Sequence, residues 1–109
     1  MPVVPKHLYY YVGEKPPALP CEYKDEDGVL VSTPLNGATL TAKCSVDGGA
    51  EFDVDCTNDN DGNFTINFAT GVDPSSFATE GMLRIDVEVD NSPQLWFLPR
   101  FSLPIRTRA

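Results

Sequence analysis

The sequence predicts an all-β fold, an antiparallel sandwich of about seven or eight strands with one short helical turn. Three observations carry that expectation. Eight glycines and ten prolines punctuate the 109 residues every ten or so positions. Between them, apolar and polar residues alternate in short runs, the two-residue period of a half-buried strand. No window of a dozen residues holds a helical period. Apolar side chains make up 41% of the chain, enough for one core without metal or disulfide staples. The area scaling gives roughly 6,000 Å² exposed when folded. A single domain over 1–109 is expected, with extended arms at about 1–11 and 100–109.

The first run, 8–12, is rich in tyrosine and ends at Gly13 and the Pro16-Pro17 pair. Proline cannot donate to a ladder, so this stretch reads as an edge strand or an extended arm. Tyr10 faces opposite to Tyr9 and Tyr11, so at most two of the three share a surface. A second run covers 18–23, followed by the turn 24–28 and a short run 29–31. Asn36-Gly37 marks another turn. The centre is clearest. Leu40, Ala42, Cys44 and Val46 alternate with Thr39, Thr41, Lys43 and Ser45. Asp47-Gly48-Gly49 turns the chain, and Phe52, Val54 and Cys56 alternate with Glu51, Asp53, Asp55 and Thr57. That is a hairpin with its carboxylates outward.

After the turn 58–62, Phe64, Ile66 and Phe68 face inward. The helical turn is expected over 73–81, with Asp73 as cap, Pro74 at the first position and Gly81 as stop. The strongest strand follows over 82–89, with Leu83, Ile85, Val87 and Val89 inward. Residues 94–98 and 101–105 make the last strands, with Pro99 between them and Pro104 marking an edge. The strand number and turn spacing make the sandwich immunoglobulin-like.

Charge narrows the partners. Sixteen acidic and eight basic side chains give a net charge of −8. Nucleic acid and anionic membrane both need a positive field, so neither is an expected partner. Residues 44–83 hold eight acids and no base, whereas 91–109 hold Arg100, Arg106 and Arg108 and no acid. Complementary fields of this kind favour assembly, either between copies or with an acidic partner surface. The N-terminus lacks the apolar stretch of a signal peptide, so cytoplasmic synthesis and retention are expected.

No catalytic, cofactor or metal site is expected. His7 is the only histidine and lies in a proline-flanked arm. With Gly62 in the glycine position of a calcium loop, Asp59 and Asp61 fit two ligand positions. The twelfth position would then be Phe68, which offers no carboxylate, so the turn reads as a polar hairpin loop. Cys21, Cys44 and Cys56 match no zinc spacing and read as buried thiols. Cys44 and Cys56 share an inward face on neighbouring strands, so a contact between them is open. Tyr9, Tyr11 and Trp96 are candidate partner-binding aromatics, with Arg100, Arg106 and Arg108 as candidate ionic contacts.

Several segments resemble a family of small phage virion β-sandwiches. They are Tyr11-Val12-Gly13-Glu14-Lys15-Pro16-Pro17-Ala18-Leu19, then Asp25-Glu26-Asp27-Gly28-Val29-Leu30-Val31 with Leu35-Asn36-Gly37-Ala38-Thr39-Leu40. Asn60-Asp61-Gly62-Asn63-Phe64 and Glu80-Gly81-Met82-Leu83-Arg84-Ile85-Asp86-Val87-Glu88-Val89 complete the series. The family is the N-terminal domain of baseplate upper proteins and related structural proteins of actinobacteriophages, and the resemblance spans about residues 8–105. It implies a non-enzymatic virion component that grips capsid, connector or tail proteins in symmetric copies. The arms would be the grips, and deletion of 100–109 is expected to leave the fold nearly intact. The alternative is a module binding host-surface carbohydrate through the tyrosines and Trp96; a third reading is an acidic binder of a host protein.

Overall fold

The computed structural model describes residues 3–13, 17–32, 35–68, 79–92 and 94–107. Among them are nine strands: β1 (Val3–Pro5), β2 (Tyr10–Tyr11), β3 (Leu19–Tyr23), β4 (Thr39–Val46), β5 (Phe52–Asn58), β6 (Asn63–Ile66), β7 (Gly81–Asn91), β8 (Gln94–Phe97) and β9 (Phe101–Arg106). The fold is all-β and sandwich-like. One curled sheet runs β1-β3-β6-β5-β4-β7-β9-β2, and β8 pairs with β7. The curl centres on β5. Its first half, Phe52 to Asp55, pairs with β4, and its second half, Cys56 to Asn58, pairs with β6. A strand that changes partners midway turns the sheet back on itself, and the two inner faces share one core.

Alternation decides which side chains enter that core. Leu40, Ala42 and Cys44 of β4 and Leu83, Ile85, Val87 and Val89 of β7 are buried, with Cys21, Phe64 and Ile66 opposite them. The exposed area is 6073 Å², the value that the size scaling anticipates. The β4–β5 hairpin turns at Asp47 and Gly48, both at positive φ (52° and 74°), closed by the Gly49 N–H to the Val46 carbonyl at 2.9 Å. Two successive positive φ values make the primed turn that suits strand twist.

Two expectations are corrected, and a third falls mostly outside the described residues. The sheet is mixed, because β2 runs parallel to β9, with Tyr10 beside Ile105 and Tyr11 beside Arg106. The arms are strands with core faces. Val3 and Tyr10 are buried at one end of the chain, and Leu103 and Ile105 at the other. Pro5 is compatible with this because β1 lies at a sheet edge, where a missing donor costs no central ladder bond, and Pro104 of β9 stands just before the two residues, Ile105 and Arg106, that pair with β2. The expected helical turn, 73–81, lies mostly outside the described residues, and Gly81, its expected stop, opens β7.

The 3–11 segment joins the two halves of the sheet. β1 pairs antiparallel with β3 on one edge, and β2 lies on the opposite edge of the order. The Tyr10 ring sits edge-on to Phe68, 5.7 Å between centroids, and its hydroxyl donates to the Pro17 carbonyl at 3.1 Å. Lys6 pairs with Glu22 on β3, which holds the Glu22 carboxyl below its ordinary range.

Candidate interaction surface

The solvent face of the larger half-sheet collects most of the candidate residues. Register places Asp53, Lys43 and Asp86 in one row across β5, β4 and β7. Lys43 Nζ meets Asp53 Oδ2 at 2.8 Å, a hydrogen bond that raises the lysine pKa. The row ends at Arg100. Three residues, 98–100, stand between β8 and β9 opposite two, Asp86 and Val87, so the edge bulges there. The bulge turns Arg100 onto Asp86, whose two oxygens accept from Nε and Nη2 at 2.9 Å each. The bidentate fork is the strong geometry for this pair, although solvent exposure keeps its contribution small. Arg100, expected to grip a partner, thus has a carboxylate within its own chain.

Beside this row lies an open depression of about 610 Å³ between Glu51, Glu88, Phe97 and the Lys43, Asp86 and Arg100 side chains. Phe97 is 51% exposed and Leu95 60%, both pointing outward on β8, and Met82 is 44% exposed further along β7. Sequence reading fixed on Trp96 and passed over its two neighbours. Alternation was the available signal: with Trp96 inward beside buried Val89, Leu95 and Phe97 must face water.

A second cluster sits where β2 meets β9. Tyr9 and Tyr11 share a face, rings edge-on at 5.2 Å between centroids, and the Tyr11 hydroxyl donates to that of Tyr9 at 3.3 Å. The Arg106 guanidinium lies 4.9 Å from the Tyr9 ring centre. The structure therefore brings Tyr9, Tyr11 and Arg106 together. Trp96 is not among them. It pairs with Val89, eight residues along β7 from Gly81, which neighbours Ile105, and that separation is about 26 Å. Trp96 is also half-buried against the core, so tyrosines and tryptophan form no common platform. Arg108 lies outside the described residues.

The acidic turns hold backbone in place. Asp25 Oδ1 accepts from the N–H groups of Asp27 and Val29 at 2.9 and 3.0 Å. Asp61 accepts from the Asn63 N–H, which holds its carboxyl below the ordinary range. Asn58 donates to the Leu35 and Ala38 carbonyls at 2.6 and 3.0 Å, and Asn60 accepts from the Gly37 N–H at 2.8 Å. The loop that invited a calcium reading thus clamps the 35–38 turn. All three cysteines are free, and burial pushes the Cys44 and Cys56 thiols up to about 12 and Cys21 higher. Cys44 lies opposite Phe52 and Cys56 opposite Ile66, which puts the two on different stretches of β5 pairing. No family model, curated protein or solved structure matches the chain.

Proposed function

We propose that this chain is a non-enzymatic structural component of a tailed-phage virion, held to other virion proteins through its sheet edges and outer face. The observation that carries the reading is the exposed apolar series Met82, Leu95 and Phe97, set among the ion pairs of the larger half-sheet. Apolar side chains rimmed by polar ones on an outer sheet face are the composition of a protein contact. The turn-and-strand resemblance to small actinobacteriophage sandwiches supplies the setting. The Tyr9, Tyr11 and Arg106 cluster adds a second contact point, with aromatic and guanidinium groups of the kind that dominate interface energetics.

The test is quantitative mass spectrometry of purified particles, taking the ratio of this chain to the major capsid protein. A ratio near unity assigns it to the head shell, and a few copies per hundred to the connector, tail or baseplate. Absence from the particle overturns the reading.

A further inference from the structure

The β8 edge is unlike the other edges of this sheet. The Leu98 N–H donates to the Val87 carbonyl at 2.9 Å. In an antiparallel ladder that bond makes Glu88–Phe97 a non-hydrogen-bonded pair and Val89–Trp96 a hydrogen-bonded one. The backbone N–H and C=O groups of Leu95 and Phe97 therefore point away from β7. Among the described residues no strand pairs with them. Edges are usually protected by charge, proline or brevity. β1 has Pro5 and the neighbouring Lys6–Glu22 pair, and β2 is two residues long beside Arg106. β8 reads Gln-Leu-Trp-Phe, with neither charge nor proline.

We propose that β8 is the seam between two copies of this chain, joined edge to edge about a two-fold axis at Trp96. The edge is self-complementary under that operation. Leu95 of one copy faces Phe97 of the other, and both positions present outward N–H and C=O groups, so four backbone hydrogen bonds close the seam. On the solvent face each Leu95 packs against the other copy's Phe97, twice. Charge selects the same place. Each copy carries −8, and β8 has no charge of its own to repel its image. The nearest carboxylates on that face, Glu88 and Asp90, stand one strand back. Across the seam they are about three strand spacings, ~14 Å, apart, beyond a physiological screening length. The inference deepens the structural reading above. Its test reads self-association directly, so a monomer would overturn the seam while particle incorporation still judges the virion role.

The experiment is light scattering and amide hydrogen exchange on the purified chain across a concentration series up to about 1 mM, the range of a weak contact. The expected result is a dimer in which the Leu95 and Phe97 amides gain protection with concentration, while Trp96 is protected throughout. Leu95→Lys should weaken the dimer by about tenfold or more, through two lost Leu–Phe pairs. Leu8→Lys, at an exposed apolar position ahead of β2 and remote from β8, should leave it within about twofold. A monomer at every concentration, protection that falls elsewhere, or equal effects of the two variants would overturn the seam.

Discussion

A methyl group at position 81 would stand 2.2 Å from Asp47 Oδ2. Asp47 occupies the left-handed region at φ 52°, and from there its Oδ1 accepts the Met82 N–H at 2.8 Å. Its own N–H donates to the Met82 carbonyl at 3.0 Å, so turn and strand hold each other through one residue. Gly81→Ala should cost about 1–3 kcal/mol in urea unfolding, because the carboxylate must swing away. In an Asp47→Gly background most of that cost should vanish; full additivity would show that the contact is not its source.

The thiols give a second residue-scale prediction. Burial raises Cys44 and Cys56 from 9.0 to about 12 and raises Cys21 as well. The unfolded chain then releases these protons first as pH rises. Stability should be intact below pH 9 and fall between about 9 and 12, by up to about 1.4 kcal/mol per pH unit for each thiol. Alkaline unfolding of the single Cys→Ala variants should show a shallower slope; an unchanged slope would place the thiols in water.

At the scale of elements, local patterning was readable and long-range pairing was not. The β4–β5 hairpin, its Asp47-Gly48 turn and the inward set of β7 follow from alternation and turn chemistry between near neighbours. The parallel contact of Tyr10 with Ile105 joins residues at opposite ends of the chain, and nothing local encodes it. The proline-rich ends therefore looked like arms, although Leu103 and Ile105 keep the spacing of a strand with a core face. The partner change of β5 between Asp55 and Cys56 was equally hidden, because the alternation of β5 continues unbroken through it. The C-terminal segment is consequently structural. Removing 100–109 strips β9 from β7 and takes the buried Leu103 and Ile105 out of the core, so loss of the cooperative transition is expected. The milder Leu103→Ala should cost about 2–5 kcal/mol. A truncated chain that still melts cooperatively would return the segment to the status of an arm.

For the whole molecule, the candidate surface was legible in part. Tyr9, Tyr11 and Arg106 converge because one strand pair carries them, whereas Trp96 is turned inward and Arg100 is taken up by Asp86. Ion pairing across three strands depends on register, which composition does not reveal. Net charge of −8 makes the molecule repel its own copies over tens of ångströms at low salt. Because the proposed seam is uncharged, salt should strengthen self-association, the reverse of its effect on a contact between opposite charges. Sedimentation at low and at physiological ionic strength checks the sign; dimers that dissociate with salt would point to the basic C-terminal end as the contact instead.

The join between β2 and β9 also sets a schedule for synthesis. Tyr10 emerges from the ribosome early, yet its sheet partner is Ile105. Until β9 is released, β7 lacks its neighbour along Gly81 to Ile85, and the Tyr10 ring has no strand to seal it against the core. The nascent chain therefore travels with an apolar flank uncovered and closes only when β9 slots between β7 and β2. Until that strand is in place, the growing polypeptide is the form most exposed to chaperones and to premature association with its neighbours on a polysome.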